Sequence, residues 1–219
     1  MAWSKRRKVR RWLQWNRRKL LIIGGVLFAV CLGVVLLSHS CQEESYTPYS
    51  DIAEEIGGLP VHTQWLEEGS GGRPGTLRKI EYIVIHETAN TAQGADAAAH
   101  ARYLSEGGDG STSWHYTVDD HQIYHHVPDN EVAWHAGDRD GNEHGVGVEL
   151  CVNEDGDFEK TFDNAAKLTA YLLKHYDLEV MDVKQHHDCS GKDCPQQIRE
   201  TNRWVEFLDA VRQYREELG

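Results

Sequence analysis

A few histidines and cysteines sit where they could bind a metal. His86 ends a branched, apolar run at residues 80–86. His186, His187, Cys189 and Cys194 share one later segment that also contains Gly191. A strand-end histidine and a loop histidine and cysteine could close on one ion. Zinc accepts mixed nitrogen and sulfur donors, and a catalytic zinc keeps three protein ligands and one open position. A histidine that ends a strand is also a common structural residue, so spacing alone leaves both readings open. Glu149 is a further candidate. It lies in a strictly alternating stretch, residues 146–152, on the face opposite Val146, Val148, Leu150 and Val152 and beside the small Gly147. A carboxylate in such a strand is costly unless it is paired or used. A buried ion pair and a catalytic base both meet that condition.

The elements that must position these residues follow from hydrophobic periodicity. Residues 80–86 read as a buried strand, and the alanine-rich 94–104 as a helix broken by glycines at 107–110. Residues 114–118 and 122–127 read as a hairpin around Asp119-Asp120, ended by Pro128. Phe162, Ala165, Ala166, Thr169, Leu172, Leu173 and Tyr176 recur at helical spacing. So do Trp204, Phe207, Leu208, Val211 and Leu218, in a helix that Pro195 can start. Residues 183–195 between these helices read as a loop. Strands interleaved with helices, one hairpin among them, predict an α/β fold with a central mixed β-sheet flanked by helices.

Charge divides the chain. Lys5, Arg6, Arg7, Lys8, Arg10, Arg11, Arg17, Arg18 and Lys19 precede every acidic residue, and all 35 Asp and Glu follow the first 37 positions. Between them, residues 20–37 form an uncharged run of 18 residues. A membrane-spanning helix needs about 20 apolar residues, range about 17–25, whereas the apolar core of a cleavable signal spans about 7–15. The length favours a retained anchor, and the basic flank stays in the cytoplasm by the positive-inside rule. A long cleavable signal, leaving a secreted protein, is the alternative. Beside such a run the basic residues suit topology and the anionic lipid bilayer, so no nucleic-acid partner is expected. The expected organisation is 1–19 basic cytoplasmic segment, 20–37 transmembrane signal-anchor, 38–58 acidic linker and 59–219 folded domain. Cys31 lies in the apolar run. Cys41, Cys151, Cys189 and Cys194 lie outside it, too sparse for a disulfide scaffold.

Five ordered stretches carry a resemblance: His86-Glu87-Thr88, residues 113–120 (SWHYTVDD), 133–138 (AWHAGD), 147–150 (GVEL) and 185–195 (QHHDCSGKDCP). Together they resemble the N-acetylmuramoyl-L-alanine amidases, in the type-2 domain shared with phage endolysins and peptidoglycan recognition proteins. The resemblance spans about residues 82–195. It implies one Zn2+ per chain on His86, His186 and Cys194, with His187 as the rival to His186. It implies Glu149 as general base and Lys192 beside the reacting carbonyl. The substrate bond would join N-acetylmuramic acid to L-alanine in bacterial peptidoglycan. Trp134, His135 and Trp114 are expected to line the substrate groove.

Two positions depart from the pattern. Trp114 stands where many similar sequences carry a catalytic tyrosine, and Cys189 stands where they commonly carry tryptophan. Tyr116, two residues on from Trp114, is expected to share its face and to pack in the strand. The resemblance implies a single catalytic domain and does not reach the apolar run; that run places the domain behind one transmembrane helix, in a bacterial cell membrane and facing the wall. A non-catalytic recognition module of the same fold is the alternative. Cys194, Glu149 and Lys192, all present, favour activity. No His-Glu-x-x-His motif occurs, which counts against the helix-borne zinc peptidases.

Overall fold

The computed structural model describes residues 51–219. The basic segment, the 20–37 anchor and most of the linker therefore lie outside the described residues. Among the described residues no helix is long and apolar enough to cross a membrane.

The strands are β1 (Glu55–Ile56), β2 (Leu59–Thr63), β3 (Tyr82–Glu87), β4 (Tyr116–Val118), β5 (Ile123–His125), β6 (Gly145–Leu150) and β7 (Val183–Gln185). They form one mixed sheet in the order β1-β2-β5-β4-β6-β3-β7. β3 pairs in parallel with both β6 and β7, and β4 in parallel with β6. β4 and β5 form the expected antiparallel hairpin. The helices are α1 (Ala97–Ser105), α2 (Arg139–His144), α3 (Phe158–His175), α4 (His186–Ser190), α5 (Gln196–Glu200) and α6 (Trp204–Glu217).

Period-two alternation gives the two sheet faces different jobs. Ile83 and Ile85 of β3 and Val146, Val148 and Leu150 of β6 join the main core, with Leu168, Leu172 and Leu173 of α3 and Phe207 and Val211 of α6. Each such side chain, fully buried, contributes about 1.5–3 kcal/mol. The opposite face carries His86 and Glu149. α1 supplies Leu104 to a smaller cluster there with Leu66, Trp114, Val127 and Ala133. Asp96, Asp138 and Asp157 cap α1, α2 and α3 by accepting from Ala99, Gly141 and Lys160 backbone N–H groups.

Three expectations need correction. The fold starts inside the stretch read as linker: β1 pairs with β2, and Ile56 is buried in the core. Gly57 and Gly58, both at positive φ, form the turn that returns the chain, and acidic neighbours hid this short hairpin. Residues 183–195 are not all loop, because β7 and α4 lie within them. Three residues are too few for a periodic signal, and parallel pairing to β3 makes the strand. The last helix does not run on from Pro195. It breaks at Asn202, which takes φ +57° between α5 and α6. Thr201 and Asn202 are weak helix formers, and Asn tolerates this conformation.

Candidate metal centre and catalytic groove

The site lies at the carboxyl ends of three adjacent parallel strands, the usual place for ligands in such sheets. His86 is the penultimate residue of β3. Glu149 holds the same place on β6 and is its register partner. His186 follows β7 directly and opens α4. Gly191, at φ +77°, ends α4 in the left-handed conformation and turns the chain toward Cys194. The backbone N–H of His187 donates to the Cys194 carbonyl and closes that turn.

One ligand atom each from His86, His186 and Cys194 lies within 4.8 Å of the others. The Nδ1 atoms of His86 and His186 face each other at 2.9 Å. Two nitrogens on a tetrahedral zinc would stand about 3.3 Å apart, from bonds of about 2.0–2.1 Å. Two imidazole nitrogens and one sulfur are also the donor types zinc prefers. The residues present fit the ion. Cys194 Sγ accepts the Glu87 backbone N–H at 3.4 Å, and burial pushes its thiol up to about 12. Only a cation beside it would hold that sulfur as the thiolate ligand near neutral pH. His187 is half-buried, stands outside this cluster and lies 3.9 Å from Asp188. The geometry therefore selects His186 over His187.

Glu149 Oε1 lies 3.9 Å from His86 Nδ1, and Glu149 Oε2 is buried with no hydrogen-bond partner. Burial raises this carboxyl to about 8; Lys192 opposes the rise and Glu87 adds to it. Glu149 and Lys192 line one cavity of about 370 Å³ with Trp114, Tyr103, Asn90 and Asp109. Lys192 is exposed and makes no ion pair among the described residues. It is a free cation lining the same cavity as a carboxyl group whose Oε2 has no hydrogen-bond partner. The pair can move a proton and stabilise a developing negative charge.

The other expected site residues divide. Trp114 lines this cavity, its indole N–H donating to Thr117 Oγ1. Tyr116 does not share its face. Trp114 precedes β4, whereas Tyr116 is fully buried in the main core and donates to Asp129. Trp134 and His135 do not line the cavity. Trp134 is 39% exposed, and its indole N–H donates to the Gly71 carbonyl. His135 is turned inward behind His86. Its backbone N–H and that of Ala136 share Asn142 Oδ1, which fixes the turn. Gly147 does leave room, but for His135: a Cβ there would meet the ring at 2.8 Å. Cys189 is half-buried against Gly141, outside the three-ligand cluster.

Two residues to which the sequence assigns no role support the site. Glu87, buried one position after His86, accepts the Gln197 and Ile198 N–H groups and ties β3 to the start of α5 beyond Cys194. Its place beside a candidate ligand is the available signal. Arg78 is a buried guanidinium that donates to the carbonyls of Glu131 and Gly145, and burial lowers it to about 10. Nothing in its surroundings in sequence marks it.

Comparison with known proteins bears on the same residues. The family model described as N-acetylmuramoyl-L-alanine amidase matches residues 76–197, which include every residue of the cluster. N-acetylmuramoyl-L-alanine amidase XlyA of Bacillus subtilis (strain 168) is 48% identical over 149 residues, 67% of this chain and 49% of the relative. N-acetylmuramoyl-L-alanine amidase CwlH of the same organism is 40% identical over 156 residues, 70% of this chain and 61% of the relative. The chain thus spans about half to three-fifths of the length of these relatives. The solved catalytic domain of XlyA superposes with a TM-score of 0.67 at 44% identity, covering 70% of this chain and 99% of that domain. The structure of PlyL superposes with a TM-score of 0.63 at 27% identity, covering 70% of this chain and 97% of PlyL. On the matched segment, and on the cluster it contains, this chain belongs to the N-acetylmuramoyl-L-alanine amidase family, Amidase_2.

Proposed function

We propose that this chain hydrolyses the amide between N-acetylmuramic acid and L-alanine in bacterial peptidoglycan, using one zinc ion held by His86, His186 and Cys194. The observation that carries the reading is the convergence of these three ligand atoms within 4.8 Å, with Glu149 Oε1 3.9 Å from His86 and Glu149 Oε2 without a hydrogen-bond partner. When bound, zinc supplies a positive charge that acidifies water toward a pKa of about 7 and polarises a carbonyl.

The chain's own residues do the rest. Glu149 accepts a proton from the attacking water, whose oxygen adds to the lactyl carbonyl carbon. The Lys192 ammonium faces the same cavity and opposes the charge that grows on the carbonyl oxygen. The carbon–nitrogen bond then breaks, and Glu149 returns its proton to the L-alanine amine. Trp114 supplies an apolar wall to the groove. In the same reading residues 20–37 tether the domain on the wall side of a bacterial membrane, which fractionation of cells expressing the full chain tests.

The test of activity is purified peptidoglycan incubated with the full chain, Glu149→Ala and Cys194→Ser. The expected products are stem peptides with L-alanine at their amino end, lost in both variants. Wall binding without cleavage would replace this reading with a recognition module.

A further inference from the structure

His135 belongs to a chain of hydrogen bonds that ends on a candidate metal ligand. Its Nε2 lies 3.0 Å from the Gly145 carbonyl, and its Nδ1 lies 3.0 Å from His86 Nε2. A carbonyl only accepts, so His135 Nε2 carries the hydrogen. In a neutral ring Nδ1 is then the acceptor, and His86 Nε2 must donate to it. That leaves the lone pair of His86 on Nδ1, the atom facing His186. Both rings are buried, and His135 shares the carbonyl it donates to with the Arg78 guanidinium, a setting in which a second proton, and so a second buried charge, on that ring is costly.

The two rings stand nearly perpendicular, at 87° with centroids 5.0 Å apart, which aims the His135 Nδ1 lone pair at the edge of His86. Three features hold His135 in place. The Gly145 carbonyl also accepts from Arg78 Nη2, Asn142 fixes the backbone at residues 135 and 136, and the absence of a side chain at Gly147 admits the ring. None of these contacts faces the substrate cavity.

We infer that His135 is a positioning residue: it fixes the Nε2–H tautomer and the orientation of His86, presenting His86 Nδ1 as a metal ligand. The use of that lone pair rests on the zinc reading above; the tautomer itself does not. Outer partners of ligating histidines commonly change metal affinity about 10–100-fold when removed.

The test uses the full chain, 15N-labelled and stripped of metal at pH 7.5. Long-range 1H–15N spectra should show both His86 and His135 as Nε2–H tautomers. Zinc affinity is then read by competition with a chromogenic chelator. His135→Leu fills the space but offers no acceptor, and should lose the His86 tautomer and about 10–100-fold in zinc affinity. His135→Asn can offer its amide oxygen where Nδ1 stood, and should keep the tautomer and recover most of the affinity. Gly147→Ala, which leaves His135 intact but displaces its ring, should weaken zinc as the Leu variant does. A wild-type His86 protonated on Nδ1 overturns the inference, as does a Leu variant that binds zinc like wild type. A wild-type chain with the assigned tautomers that takes up no zinc overturns the metal reading instead.

Discussion

His86 and Glu149 are register partners on neighbouring parallel strands, and the carboxylate of one stands 3.9 Å from Nδ1 of the other. Their side chains share a sheet face because both occupy the same phase of the pleat. The proposed ligand and the proposed base are thereby set by backbone pairing rather than by a loop. Glu149→Gln preserves shape but cannot take a proton. It should lower kcat about 10²–10⁴-fold while zinc content stays that of wild type, measured by metal analysis beside turnover. Loss of zinc in step with activity would instead make Glu149 a structural support.

Lys192 is the group that holds the Glu149 carboxyl down against burial. Removing its charge should raise that carboxyl further, so the base is ionised only at higher pH. Lys192→Met should therefore shift the acid limb of kcat/KM toward higher pH, besides lowering the plateau. A pH–rate profile checks this, and an unshifted limb would remove Lys192 from the electrostatics of the base.

Burial also links stability to pH. It lowers His126 and His135 to about 3 and His186 to about 4, from the ordinary value of 6.5. The folded state therefore binds fewer protons than the unfolded chain between those values and 6.5, and stability is lost as pH falls through that window. Glu149 acts oppositely. Its folded value of about 8 against an ordinary 4.5 makes it cost stability as pH rises from 4.5 to 8. The metal-free chain should show a urea midpoint that falls from pH 6.5 to 4, and Glu149→Gln should raise the midpoint at pH 8. A midpoint flat with pH in both proteins would contradict this account.

Glu87 accepts two backbone N–H groups at the start of α5, and its own N–H reaches Cys194 Sγ. Glu87→Ala leaves two donors without partners, and the buried one, the Ile198 N–H, costs about 1–3 kcal/mol. It should also loosen the chain that carries Cys194, so zinc affinity should fall along with stability. Chemical unfolding and chelator competition on the same variant check both. Wild-type values would make the contact incidental.

Much of the site is legible in the amino-acid sequence. The alternation of Val146, Val148 and Leu150 puts Glu149 on the face away from the core, where it stands. The apolar run at residues 80–86 ends on His86, as β3 nearly does. The resemblance supplies the cluster, and geometry decides between His186 and His187, whose adjacency in sequence leaves the choice open. What escapes the sequence is set by tertiary contact. β7 exists because β3 offers an edge, and His135 turns inward because Asn142 and Gly147 receive it. Neither leaves a periodic trace. Tyr116 departs from the expected face because β4 begins only at Tyr116, so the period of two does not reach back to Trp114.

The most direct test of the central claim is mass spectrometry of peptidoglycan treated with the full chain, before and after metal is chelated and zinc restored. The account expects stem peptides beginning with L-alanine and intact glycan strands, lost with chelator and regained with zinc. Cleavage within the peptide or the glycan, or the same products in the presence of excess chelator, would contradict it.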